Sequence, residues 1–223
     1  MISDNLTIEK VTQNVWLHIS QRKLNDGRVF PANGLLIRDG DELIMVDTAR
    51  GENLTTELIE WIKSEIDLPI HTAIVSHFHD DSMSGTSILQ EHGVRVLGNP
   101  LTLTLAQKPN TALPEALREL ESGNTITLGN IEIFYPGAGH SRDNLFVWVP
   151  EAKLLFGGCS VRSPDFPGLG NTRDADIQNW PIAIKHVQQK YPDAKIVVPG
   201  HGAVADEALL AYTLELFTHN KTE

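Results

Sequence analysis

The stretch SHFHDDSMSG, residues 76–85, sets two histidines and two aspartates into five consecutive positions, directly after the apolar run TAIV. Residues 71–76 read as a buried strand feeding this segment. Polar groups at the end of such a strand are expected to converge on something other than water. His77, His79 and Asp81 alternate, so an extended segment would project all three from one face, and imidazole with carboxylate is donor chemistry suited to zinc.

Three other places repeat the setting: His140 in GAGHSRDN, Cys159 in FGGCS and His201 in VPGHG, each beyond a predicted strand and flanked by glycine. Any one of them alone reads more simply as a satisfied histidine or a buried small thiol. Together with the first three they make six candidate ligands. That is too many for one tetrahedral zinc and too few to close two, which points to two metal ions with positions left for water, hence to catalysis rather than scaffolding. His18, His71, His92, His186 and His219 lack this setting and are read as structural or solvent-exposed.

The rest of the chain supplies the frame. VWLHIS (15–20) reads as a strand and GLLIRDGDELIMVDT (34–48) as a hairpin. The segment between them, with Asn25, Asp26 and Gly27 at its centre, reads as a mobile loop. Leu54, Leu58, Trp61, Ile62 and Ile66 fall at helical spacing. A helix near SGTSILQEH and a strand at VRVLG follow the histidine segment, and two more hairpins are signalled at 125–137 and 144–158. The chain closes with helix, strand and helix. Hairpins interleaved with amphipathic helices predict an α/β protein whose sheets carry helices on their outer faces. With 223 residues, 41% of them hydrophobic, and no compositional break, residues 1–223 are expected to form one domain.

Composition narrows the partners. The balance of 18 basic against 29 acidic residues gives a formal charge of -11, which disfavours nucleic acid. No stretch approaches the roughly 18 apolar residues of a membrane span, and MISDNLTIEK lacks the pattern of a signal peptide, which leaves the compartment open. Cys159 is the single cysteine, so no intrachain disulfide is possible.

HFHDD as HxHxD, GAGH, GGCS and PGHG, in that order, closely resemble the metallo-β-lactamases of class B, subclass B1, and the resemblance runs from about Ile8 to His219. The wider superfamily usually has HxHxDH and often an aspartate at the place of Cys159. Here Ser82 follows Asp81, and glyoxalase-like and nuclease-like relatives fit less well.

The resemblance implies a four-layer αβ/βα sandwich and a monomer acting in the periplasm. It implies hydrolysis of the β-lactam amide of penicillins, cephalosporins and carbapenems by a hydroxide generated on two zinc ions. His77, His79 and His140 would hold the first zinc and Asp81, Cys159 and His201 the second, with Asp81 also orienting the nucleophile. Arg162 stands where many relatives carry a lysine and would grip the substrate carboxylate bidentately. Asn171 in GLGNTRDAD matches a flap asparagine that donates to the lactam carbonyl. Asp47 in MVDTA resembles an acid behind the ligands, or caps a strand end. Another hydrolase on this scaffold, such as a thioester hydrolase, is the alternative, and a zinc-buffering protein is disfavoured because storage gains nothing from open coordination positions.

Overall fold

A computed structural model describes residues 2–24, 27–107 and 111–219, and the chain falls into two compact units, Met1–Arg118 and Glu119–Glu223. Within the described residues, the first unit contains β1 (Leu6–Lys10), β2 (Val15–Lys23), β3 (Val29–Asp39), β4 (Glu42–Val46), α1 (Gly51–Glu65), β5 (Ile70–Ile74), α2 (Asp80–Met83), α3 (Thr86–Glu91), β6 (Arg95–Gly98), α4 (Thr102–Leu105) and β7 (Glu115–Ala116). Its strands form one sheet in sequence order, antiparallel from β1 to β4 and parallel from β4 to β7. Leu58 and Ile62, four apart on α1, are buried with Met45, Ala73, Val75, Leu89 and Val96 in one apolar cluster.

The second unit contains β8 (Thr125–Leu128), β9 (Ile131–Phe134), β10 (Phe146–Val149), β11 (Leu154–Gly158), α5 (Trp180–Lys190), β12 (Ile196–Pro199) and α6 (Ala208–His219). The sheet order is β12-β11-β10-β9-β8, with only β11 and β12 parallel. β10 and β11 are buried at every residue, which is why they read as continuous apolar runs rather than alternating ones. Trp180, Ile184 and Val187 of α5 and Leu210 and Phe217 of α6 pack into the cluster that holds Phe146, Leu155 and Val197. Both units are thus mixed sheets carrying helices, the αβ and βα halves of the expected fold class.

The expected hairpins and long helices are present. The loop expected from residue 21 is instead largely strand, because β2 runs to Lys23 and β3 starts at Val29, paired residue for residue from Gln21–Pro31 to Lys23–Val29. Asn25 and Asp26 lie outside the described residues. The segment from His77 to Asp81 is also not extended throughout. Residues Asp80–Met83 make a helical turn with His79 as N-cap, and Ser82 and Met83 both donate their N–H groups to the His79 carbonyl. β1, β7, α2 and α4 were not anticipated.

Candidate metal centre

In the first unit β4 and β5 run parallel, with Val46 opposite Ile74, so the residues that follow both strands emerge together at their carboxyl ends. This is the edge at which open parallel sheets collect ligand groups. Asp47 follows β4 with φ 59°, and the histidine segment follows β5. α2 then turns the chain back directly after His79, its N-cap, so that Asp81 in the first turn faces the bend that carries His77. His77 Nε2 lies 3.5 Å from Asp81 Oδ1 as a result, and the ligand atoms of His77 and His79 lie within 4.8 Å of one another.

A hydrogen-bond relay sets the tautomer of His77. Ser76 Oγ donates to Asp47 Oδ2 at 2.8 Å, and that hydroxyl lies 3.1 Å from His77 Nδ1. With its proton given to Asp47, Ser76 Oγ accepts from Nδ1–H, which leaves Nε2 as the lone-pair nitrogen on the Asp81 side. Asp47 also accepts from the Ser76 N–H at 2.6 Å and from the Ser82 hydroxyl. The acid behind the ligands is therefore a support for the histidine segment. Ser82, the residue at which the chain departs from HxHxDH, is one of its donors. Burial pushes the Asp47 carboxyl up to about 7 against the pull of these hydrogen bonds, and burial lowers His18, whose Nε2 lies 3.2 Å from the Asp47 carbonyl, to about 4.

Asp81 meets a cation on its other side: Arg50 Nη2 is 3.8 Å from Asp81 Oδ2, with both side chains 14% exposed. Among the described residues, Arg50 Nε and Nη2 are buried without a hydrogen-bond partner. Leaving buried donors unfilled costs about 1–3 kcal/mol each, so the opposing carboxylate charge is what makes this placement tolerable.

In the second unit β9 and β11 both run antiparallel to β10, and β12 is parallel to β11. The carboxyl ends of β9, β11 and β12 therefore share one sheet edge, and His140, Cys159 and His201 follow those three strands. Cys159 Sγ and His201 Nε2 are 3.2 Å apart. The close approach depends on Gly200, whose N–H donates to the Gly158 carbonyl at 2.7 Å and where an added Cβ would lie 2.7 Å from Cys159 Sγ. His140 sits in a turn cradled by Asn144, whose Oδ1 accepts from Ser141 N–H and whose Nδ2 donates to the Gly137 carbonyl. Trp180, fully buried, holds both neighbourhoods: its ring meets His140 edge-on at 5.5 Å and its Nε1 donates to the Ser160 carbonyl at 2.8 Å.

Arg162 is buried rather than solvated. Its Nε donates to the Gly168 carbonyl at 2.9 Å and its Nη2 to the Phe166 carbonyl at 3.2 Å, and burial lowers its pKa. One edge of the guanidinium is thus committed to backbone. Asn171 is exposed, and its Oδ1 accepts from Arg173 N–H at 3.2 Å, which leaves Nδ2 as the donor group.

The donor set fits zinc. Zinc–sulfur and zinc–nitrogen bonds of about 2.3 and 2.0 Å at a tetrahedral angle place sulfur and nitrogen roughly 3.5 Å apart, close to the separation of Cys159 and His201. Neutral imidazoles at His77, His79 and His140, and a thiolate and carboxylate at Cys159 and Asp81, match its preferred ligand types. The profile of the Metallo-beta-lactamase superfamily matches residues 27–201. The chain belongs to that superfamily. It is 37% identical over 213 residues to the metallo-beta-lactamase type 2 of Bacillus cereus, covering 95% of this chain and 82% of that one. It is 30% identical over 217 residues to the type 2 enzyme of Bacteroides fragilis, covering 96% and 86%. The crystal structure of the metallo-beta-lactamase FIM-1 from Pseudomonas aeruginosa in its mono-zinc form superposes with a TM-score of 0.92 at 33% identity, covering 100% of this chain and 99% of that one. The metallo-beta-lactamase from Pontibacter korlensis gives 0.88 at 38%, covering 96% and 99%. The B1 resemblance of the motifs is borne out by these type 2 relatives.

In this metallo-β-lactamase the residues that sequence reasoning missed are Arg50, Trp180 and the serines of the Asp47 relay. Arg50 and Trp180 carry no motif and meet Asp81 and His140 from distant places in the chain, while Ser76 and Ser82 flank the candidate ligands in sequence but show their role only through Asp47. No helix among the described residues is long and apolar enough to cross a membrane.

Proposed function

We propose that the protein is a zinc-dependent β-lactam hydrolase acting on penicillins, cephalosporins and carbapenems as a monomeric, single-domain periplasmic enzyme without a nucleic-acid partner. The observation that carries this reading is the pairing of donors in each unit: His77 Nε2 beside Asp81 Oδ1, and Cys159 Sγ beside His201 Nε2. His77, His79 and His140 would hold one zinc, and Asp81, Cys159 and His201 a second. When bound, the metal supplies polarisation of the substrate carbonyl and a water ionised near neutral pH.

The chain's own residues do the rest. The relay through Ser76 and Asp47 keeps His77 Nε2 in its ligating tautomer. Asp81 accepts from the attacking water and so orients it, while Arg50 balances its charge. Asn171 Nδ2 donates to the lactam carbonyl oxygen as negative charge gathers there. Arg162 offers the cationic edge left by its backbone contacts to the substrate carboxylate.

The test is hydrolysis of a chromogenic cephalosporin by purified protein, with metal counted alongside. Turnover should vanish on chelation, return on adding zinc, and accompany close to two zincs per chain. Full turnover in metal-free protein, or saturating zinc without turnover of any β-lactam, would refute the reading.

A further inference from the structure

Arg162 touches a whole loop rather than a single partner. Its guanidinium donates to the carbonyls of Phe166 and Gly168, and Gly170 packs against it so closely that an added Cβ would lie 3.0 Å from Nη2 and 3.3 Å from Cζ. Gly170 has φ +73°, a conformation side chains rarely adopt. The next residue is Asn171. The base of Arg162 is fixed in turn, since its N–H donates to Thr213 Oγ1 at 2.8 Å and that hydroxyl donates to the Leu209 carbonyl within α6. The start of the same loop is pinned to the His201 turn, with Asp165 Oδ2 accepting from Ala203 N–H at 2.8 Å and the Phe166 ring edge-on to His201 at 6.4 Å.

We propose that Arg162 is a positioning residue: its planar fork holds the loop from Phe166 to Gly170 and thereby fixes where Asn171 presents its amide during hydrolysis. The inference rests on the β-lactam hydrolase reading and adds to it a specific requirement for arginine. Attraction of a substrate carboxylate needs only positive charge, which lysine also carries. Bracing two carbonyls two residues apart, with a glycine against the plane, needs donors in a rigid fork. A lysine ammonium on its flexible stem cannot reproduce that plane.

The two roles separate kinetically, because a uniform binding contact appears in KM and a transition-state contact in kcat. The experiment compares wild type, Arg162→Lys, Arg162→Ala, Asn171→Ala, the double variant Arg162→Ala/Asn171→Ala and Gly170→Ala on one cephalosporin, with zinc content measured for each. Arg162→Lys should keep KM while kcat falls about 10- to 100-fold, approaching the loss from removing one oxyanion donor. Because both residues act through one hydrogen bond, the double variant should be within about twofold of the worse single variant. Gly170→Ala should reproduce the fall in kcat with Arg162 intact, and it reports on the loop even if Arg162→Ala does not fold. Wild-type zinc content is expected in Arg162→Lys and Gly170→Ala. Wild-type kcat in Arg162→Lys, a change in KM alone in Arg162→Ala, multiplying effects in the double variant, or metal loss in Arg162→Lys would each overturn the proposal. Failure of the wild-type protein to hydrolyse the cephalosporin would instead bring down the underlying reading, and the proposal with it.

Discussion

Replacing Gly200 with alanine should expel metal from the Cys159 and His201 donors while leaving the rest of the fold standing. The added Cβ would lie 2.6 Å from Cys159 N, 2.7 Å from its Sγ and 2.8 Å from its Cα. Ordinary contact starts at about 3.4 Å, so the sulfur must move by roughly 0.7 Å, and the backbone beside it by about as much. Metal–ligand distances tolerate only about 0.2 Å, so the displacement exceeds what a thiolate bond to zinc can absorb. The backbone has little room to yield, because the Gly200 N–H to Gly158 carbonyl bond at 2.7 Å ties the ends of β11 and β12 together. Overpacking should also cost about 1–3 kcal/mol of stability. The assay is zinc counted after dialysis against graded chelator, with the thiolate-to-metal charge-transfer band of cobalt-substituted protein as an independent report on Cys159. Loss of the band and of one zinc at chelator levels that wild type withstands is expected. An intact band with wild-type metal retention would refute the reasoning, since the thiolate would have tolerated the shift.

Other consequences concern the first unit. Asp47 is fully buried, with a folded pKa near 7 against 3.8 unfolded, so its contribution to stability is complete below about pH 4 and is lost as pH rises towards 7. His18 works in the opposite sense: held neutral down to about pH 4 against an ordinary value of 6.5, it costs stability as pH falls through that window, and the two slopes largely offset each other. Asp47→Asn should therefore gain stability relative to wild type by on the order of 4 kcal/mol between pH 4 and 7, read from urea midpoints of metal-stripped protein; a pH-independent difference would contradict the burial argument. Arg50→Ala should free Asp81 to turn, weakening zinc retention on the order of tenfold, with Arg50→Lys partly restoring it. Unchanged or tighter zinc binding in Arg50→Ala would mean that the cation repels metal more than it orients the carboxylate.

The candidate donor types were legible because they are properties of single residues next to strand ends. HFHDD, GAGH, GGCS and PGHG each show a donor where an apolar run stops, and glycines mark where the backbone must pass closely. The hairpins and the longer helices were legible for a similar reason, since apolar runs and the periodicities of 2 and 3.6 are local, whereas the short elements β1, β7, α2 and α4 carry too few residues to show a period. The reading failed where a local pattern admitted two geometries. The alternation His77, His79, Asp81 suits an extended chain, yet the hydrogen bonds of Ser82 and Met83 to the His79 carbonyl wind it into a turn, and that turn is what sets Asp81 against His77. In the segment from Gln21 to Lys23, polar residues suggested a loop, but pairing with Pro31, Phe30 and Val29 across the hairpin makes it strand.

What the amino-acid sequence determined by itself is thus which residues are candidate donors, the zinc-like chemistry those residue types share, and the alternation of sheets and helices that carries them. What only the tertiary structure decided is which groups support the donors. Asp47 reaches Ser76 across 29 positions and Ser82 across 35, Trp180 reaches Ser160 across 20, and Cys159 meets His201 across 42. Arg50 likewise comes to Asp81 from the start of a different helix. Such contacts follow from strand order and direction, which bring the carboxyl ends of β4 and β5, and of β9, β11 and β12, to common edges. No spacing along the chain encodes them, because hydrogen bonds and ion pairs act over a few ångströms of space, whatever the number of residues between.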